Sequence, residues 1–322
     1  MLIFESNFYN ECFTLNLMRW ERIFLGLISI FLILLLSIYW VFPSQETEFG
    51  IERSSNFSLV ENNLSMQFYD NMRFPHPNIS YEIEEDCSLQ KQGEMLEAFD
   101  LISDVTDLRF IEDKENPEII VSCDEKNKFE EGMFIAGEGG PVKIIPGNNF
   151  NVILLGKILL IKNSNCERPN VAIHELLHVL GFNHSDNANN IMYPVSKCRQ
   201  TIGEEIPIEI NRLYSTPSLP DLRFGEVSAT ITGRTMDINL SIKNDGLVDS
   251  KEANIVIYDD EKIIKEIILE PLQIGYEVKI SLTNVWITKL KIDELLVSIE
   301  TNHSELSSEN NQVFLTKKQI SN

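Results

Sequence analysis

Three of the five histidines of this chain, His174, His178 and His184, fall within the segment "VAIHELLHVLGFNHSD". Residues four apart on a helix share one face, so His174 and His178 can present two imidazoles to a single metal ion. Gly181 follows the apolar run and is a natural helix stop in the left-handed conformation. A sharp turn there swings His184 back toward the same ion. Three protein ligands with a fourth position left open describe a catalytic zinc site, whereas structural zinc is closed by four. Glu175, adjacent to His174, is acceptor-only when ionised and suits the removal of a proton from the attacking water. The expectation is one catalytic Zn2+ held by His174, His178 and His184, with Glu175 as general base.

These residues need a rigid support. Ile173, Leu176, Leu177 and Leu180 supply an apolar surface that buries the rest of the helix, and Asn170 is the expected N-cap. Upstream, "ISYEIEEDC" alternates as a strand and "LQKQGEMLEAFDLISDV" has helical spacing. Strands follow at "LRFIE" and "EIIVSC". "EGMFIAGEGGPVKII" is interrupted by glycines, and "FNVILLGKILLI" reads as two strands about Gly156. A strand, helix and strand in succession predict a βαβ unit in which Cys87 and Cys123 end neighbouring parallel strands. Cys166 and Cys198 remain as a second candidate pair, although four cysteines permit three connectivities or none. A last helix is expected around "EEIPIEINRLY", and "STPSLP" is a linker. Beyond it, alternating strands and "NDG"-type turns predict a β-sandwich of about 100 residues.

The whole chain has 322 residues, 43% of them hydrophobic and 24% charged, with a formal charge of −22. Such a field repels nucleic acid, which is therefore not an expected partner. Residues 23–42, "IFLGLISIFLILLLSIYWVF", carry no charge and have the length of a transmembrane helix, with Trp20, Tyr39 and Trp40 at interfacial positions. Arg19 and Arg22 before it and Glu46 and Glu48 after it predict a cytoplasmic N-terminus and an extracytoplasmic remainder. A cleaved signal peptide is the rival reading. "MRWERIF" from Met18 also reads as a natural start. The expected division is a cytoplasmic segment at 1–22, a signal anchor at 23–42 and a stalk at 43–63. A peptidase domain at 64–216 and a sandwich at 217–322 follow. An oxidising exterior suits disulfides among Cys87, Cys123, Cys166 and Cys198. Calcium ligands have no code that so acid-rich a chain displays.

H-E-x-x-H-x-x-G-x-x-H followed by "NIMYP" resembles the metzincin pattern, and "HELLHVLGFNHS…IMYP" is similar to its matrixin branch. The resemblance implies an α/β or α+β catalytic domain with a twisted mixed sheet, an active-site helix and a C-terminal helix. It also implies zinc on His174, His178 and His184, Glu175 as base, and Met192 in a turn beneath the metal. Ser185 and Tyr193-Pro194 fit as well. The likeness is specific over residues 171–194 and looser over 79–214. No cysteine-switch sequence of the "PRCGxPD" type is present, nor are the histidines of a second, structural zinc; His76 and His303 read as isolated surface residues. "GEGGPVKII" is expected to precede an edge strand that binds substrate backbone. From Pro220 to about Phe314, "LPDLRFGEVSA" and "LSIKNDGLVDSKEANIVIYDDEKIIKEIIL" resemble CARDB-like, immunoglobulin-type sandwiches. The combined reading is a membrane-anchored, extracytoplasmic zinc endopeptidase acting on polypeptide. The alternative is a surface adhesion protein whose sandwich binds a protein or glycan partner.

Overall fold

The computed structural model describes residues 22–36, 46–54, 66–124, 128–130, 133–162, 166–289 and 292–317. The expected anchor is covered by a helix, α1, over residues 22–36, and its side chains are exposed. Among the described residues no helix is long and apolar enough to cross a membrane. Residues 37–42 of the expected span, with Tyr39 and Trp40, lie outside the described residues, as do Cys12, Arg19 and Trp20.

Residues expected to form a stalk instead begin with a strand, β1 (Glu46–Ser54), that belongs to the C-terminal sandwich. Phe49 alternates with more exposed neighbours and is 1% exposed in the sandwich core. The remaining sandwich strands are β10 (Leu222–Thr232), β11 (Thr235–Asn244), β12 (Ala253–Asp259), β13 (Lys262–Leu269), β14 (Glu277–Trp286), β15 (Glu294–Thr301) and β16 (Gln312–Lys317). They form one sheet in the order β13-β12-β15-β16-β1-β10-β11-β14. Strands from both halves bury residues such as Ile238, Leu240, Ile255, Ile257, Leu295 and Val297 in one core, so the sheet closes over itself as a sandwich. β1 runs antiparallel to β10 on one side and to β16 on the other, and joins the two halves.

The intervening domain is built on a sheet of β2 (Met72–Arg73), β3 (Asn78–Ile83), β4 (Arg109–Glu112), β5 (Ile119–Cys123), β8 (Gly137–Pro146) and β9 (Asn151–Leu160). Two short strands, β6 (Lys128–Glu130) and β7 (Met133–Ile135), pair apart from it. The order β2-β9-β5-β3-β4 is parallel, and β8 adds antiparallel to β9 at the other side. Helix α2 (Leu89–Val105) makes the crossover from β3 to β4, capped by Ser88, whose hydroxyl accepts from the Lys91 backbone N–H. It lays Met95, Ala98, Phe99 and Ile102 onto the sheet. β9 is a single strand rather than two, because Gly156 lies within it. A Cβ at Gly156 would stand 2.3 Å from Val179 Cγ1 of the helix packed above, so glycine there permits close approach rather than a turn.

Cys87 is joined to Cys123, the last residue of β5, and Cys166 to Cys198. Closing loops of 36 and 32 residues removes about 4 kcal/mol of unfolded-chain entropy each in the chain-entropy account.

The two domains meet at a small apolar seam. Phe150 and Val152 of the β8–β9 hairpin pack with Leu247, supported by Ile145, Ile274 and Leu306. Arg73, 1% exposed, ties the start of the catalytic sheet to the end of the last helix, α4 (Glu205–Tyr214), by donating to the Leu213 and Thr216 carbonyls. Its guanidinium lies over the Tyr214 ring at 4.2 Å.

Candidate metal centre and active site

The helix that carries the histidines, α3 (Asn170–Val179), is buried along its whole length. It packs on β8 and β9, with α2 alongside, so its histidine face is held from several sides. Its cap differs from expectation. Pro169 is the N-cap, and the Asn170 side chain instead donates to the Lys197 carbonyl at 2.7 Å. That bond fastens the helix start to the segment carrying Cys198, which the Cys166 disulfide also holds. Gly181 ends the helix with φ +96°, as its position suggests, and its backbone lies so near Met72 that a Cβ would fall 2.8 Å from that side chain.

The turn brings the third histidine back. The ring nitrogens of His174, His178 and His184 that face inward all lie within 4.8 Å of one another. His178 Nε2 and His184 Nε2 are 3.2 Å apart. Two nitrogens bound tetrahedrally to one zinc at 2.0–2.1 Å sit about 3.3 Å apart, so this spacing fits. The tautomers fit as well. His174 Nδ1 lies 2.7 Å from the Ile191 carbonyl, and His178 Nδ1 2.7 Å from the Phe182 carbonyl. A carbonyl only accepts, so each Nδ1 carries the proton and each Nε2 offers a lone pair. Burial lowers all three imidazoles below the usual histidine value, His178 to about 4, which keeps them neutral near pH 7 as metal ligands must be. The donor set thus suits zinc.

Glu175 is 6% exposed and stands against β8. A Cβ at Gly137 would lie 2.8 Å from Glu175 Cγ and 2.9 Å from Oε1, and one at Gly139 would lie 2.4 Å from the Glu175 carbonyl oxygen. Two glycines of β8 therefore let the strand pass directly over the base. Burial, and after it the nearby Glu138 carboxylate, push the Glu175 carboxyl up to about 8. Glycine-rich "GEGG" was expected to precede an edge strand. It is instead the first part of that strand, β8, which among the described residues pairs with β9 on one side only.

Met192 is fully buried in the core that also holds Leu176 and Leu177. Its turn is fixed by the Met192 N–H donating to Asn190 Oδ1 at 2.8 Å, while Asn190 Nδ2 donates to Glu205 Oε1 at 2.8 Å. The Ser185 N–H donates to the Met192 carbonyl at 2.9 Å, and so couples the turn to the residue after His184. Several supports carried no readable signal. The Phe68 N–H donates to Gly181 O and the Asn183 N–H to Met66 O, so residues 66–68 strap the turn that aims His184. Phe68 also stacks on His178, ring centroids 5.6 Å apart. His76 is partly exposed and away from the triad, 3.5 Å from Glu118, whereas the His303 side chain is only 10% exposed, contrary to its expected surface position.

A buried helix with a three-histidine cluster, a carboxylate beside it and a glycine-rich strand paired with β9 above it suit a metallopeptidase-type site. Comparison with known families agrees: the family described as matrixin, peptidase M10, matches residues 73–209, and the family described as CARDB matches residues 219–316. The chain thus carries a domain of the matrixin family followed by a domain of the CARDB family. No curated protein sequence matches the chain. Among solved structures, a CARDB domain of the PF1109 protein from Pyrococcus furiosus, crystallised in complex with di-metal ions, is 14% identical over 31% of this chain and 88% of its own length, with a TM-score of 0.25. The matrixin domain supports a metalloprotease, and it implies a polypeptide substrate and zinc.

Proposed function

We propose that the chain is a membrane-anchored, extracytoplasmic zinc endopeptidase of metzincin type, in which His174, His178 and His184 hold the ion and Glu175 is the general base. The observation that carries this is the 3.2 Å approach of two Nε2 atoms, within a cluster of three histidines, beside a buried carboxyl group. Bound zinc supplies Lewis acidity that acidifies a water and polarises a carbonyl.

The chain's own groups do the rest. The Ile191 and Phe182 carbonyls hold two imidazoles in the ligating tautomer and orientation. Glu175, buried beside Gly137, accepts the proton of the attacking water. The same carboxyl then donates that proton to the departing amine. The outer edge of β8 offers backbone donors and acceptors along Gly137–Pro146 for an extended peptide.

Zinc dependence is tested on the full chain with an unfolded protein as substrate. Cleavage should stop on chelation, return with Zn2+, and leave peptides with new N-termini in mass spectra. Activity unaffected by chelation, or products lacking internal peptide-bond cleavage, would contradict the reading.

Support for anchoring is the uncharged run at 23–42, helical over 22–36 with exposed apolar side chains. Alkaline carbonate extraction of membranes should leave the chain in the pellet, and protease added outside intact cells should digest both domains. Release into the supernatant would remove the anchor from the account.

A further inference from the structure

The sandwich buries a group of polar side chains that peptide hydrolysis does not use. Asp221, fully buried at the start of β10, has Oδ1 accepting from Asn310 Nδ2 at 2.9 Å and Oδ2 with no partner. Glu305, whose side chain is 2% exposed, accepts from Asn311 Nδ2 through Oε2 and from the Leu222 N–H at 3.3 Å through Oε1. Asn310 and Asn311 are each 5% exposed, and the carbonyl oxygen of each carboxamide has no partner.

Charge balance separates these acids from their neighbour. Asp245 is met by Arg223 Nε and by Lys243 Nζ, the latter at 2.6 Å. Among the described residues no lysine or arginine stands within ion-pair distance of Asp221 or Glu305, although Arg223 and the Ser307 backbone N–H partly offset the burial of Asp221. His303 Nε2 is 4.0 Å from Glu305 Oε1, but burial, and then Lys251, lower its basicity. Burial raises both carboxyls; Asp245 contributes for Asp221 and Asp221 for Glu305, which reaches about 7. Three orphan atoms of the group, Asp221 Oδ2, Asn310 Oδ1 and Asn311 Oδ1, are oxygens, and His303 Nε2 beside Glu305 is an orphan nitrogen. Turning either carboxamide over would take a donor from a carboxylate and orphan an N–H instead, so the arrangement is oxygen-rich by construction. Buried acceptors without donors call for a counter-charge, water or, on a carboxyl, a proton.

We propose that Asp221, Glu305, Asn310 and Asn311 form a binding site for a hard divalent cation, for which Ca2+ is the best match. An all-oxygen set of two carboxylates and two carboxamides excludes the softer metals that prefer imidazole or thiolate. Mixed, irregular oxygen ligands suit Ca2+, which tolerates six to eight of them, better than Mg2+, which demands a near-ideal octahedron. Two charged ligands place the affinity in the weak range of extracellular modules, a Kd of about 0.1–1 mM. The site is separate from the three histidines and does not rest on the peptidase reading. It lies under the domain seam: the Leu306 N–H, next to Glu305, donates to the Pro220 carbonyl at 2.9 Å, and the Leu306 side chain packs with Ile145, Phe150 and Leu247. The cation therefore braces the surface on which the β8–β9 hairpin sits.

The test is Ca2+ titration of the full zinc-loaded chain after dialysis against a calcium chelator. Wild type should gain Ca2+ with a Kd of about 0.1–1 mM, and its unfolding midpoint should rise by about 3 °C or more at tenfold excess over Kd. Asp221→Asn and Glu305→Gln should each weaken this binding at least tenfold. No uptake by wild type at 10 mM Ca2+ (about tenfold above the expected Kd), or equal uptake by wild type and both variants, would overturn the proposal. Because either variant can fail to fold, wild-type crystals soaked in Mn2+ provide the second reading. An anomalous peak between Asp221 and Glu305 supports the site, and its absence there contradicts it.

Discussion

His178 and His184 bring two Nε2 atoms to 3.2 Å, and with both Nδ1–H groups of the helix histidines spent on backbone carbonyls, His178 Nε2 faces that gap as an acceptor, able to take a metal ion or a proton. The spacing of these residues was legible because helical period and a glycine stop act over a dozen residues. The two glycines that seat Glu175 were not, since Gly137 and Gly139 reach it from about 36 residues away and only the fold brings them there. Their importance is testable. Gly139→Val puts a side chain into the Glu175 backbone, which cannot yield as a flexible side chain would. The expected cost is about 1–3 kcal/mol of stability, with at least a tenfold loss of kcat/KM. Gly140→Ala, with nothing within 4 Å of the added Cβ, should change neither. Denaturant midpoints and peptide cleavage rates read both. Glu305 gives a pH prediction in the presence of a chelator. Its carboxyl is raised from 4.5 to about 7, so the folded state binds the extra proton in that window. The stability it contributes is complete below 4.5 and is lost as pH rises through about 7. Unfolding midpoints of the chelated wild type should therefore lose, between pH 5 and 8, a component that Glu305→Gln lacks.

Among the elements, α2, α3, α4 and most strands stand where their periodicity placed them. The exceptions have physical causes. β9 continues through Gly156 because Val179 needs the space, and Asn170 leaves the cap because its amide serves the Lys197 carbonyl. The largest departure is β1. "ETEFGIERS" is short and polar, and its partners β10 and β16 lie roughly 180 and 265 residues further on, so nothing local marks it as a core strand. Yet Phe49 fills the sandwich core and the strand's backbone bridges the two halves of the sheet. Phe49→Ala should cost the sandwich about 3 kcal/mol, the usual loss for a buried phenylalanine. A chain starting at Leu64 should show the same weakness, relieved by adding a peptide of residues 46–54. Equal unfolding midpoints with and without the strand would mean that β1 contributes nothing to stability.

At the scale of the whole molecule, β1 changes how the domains are connected. The chain enters the sandwich, leaves to build the catalytic domain, and returns at β10, so the peptidase is an insertion after the first sandwich strand rather than a head on a stalk. Under the proposed anchoring at 23–42, the sandwich would be the domain nearer the membrane in sequence; it meets the peptidase domain at the seam of Phe150, Val152 and Leu247. The formal charge of −22 disfavours association with anionic surfaces. The central claim is that three histidines hold zinc and Glu175 acts on the water beside it. Zinc content and hydrolysis of an unfolded protein, measured together in wild type and Glu175→Ala, address it most directly. The account predicts one zinc per chain in both proteins, with kcat/KM lower by at least about a thousandfold in the variant alone. Wild type without zinc, or a zinc-loaded variant that cleaves as well as wild type, would contradict it.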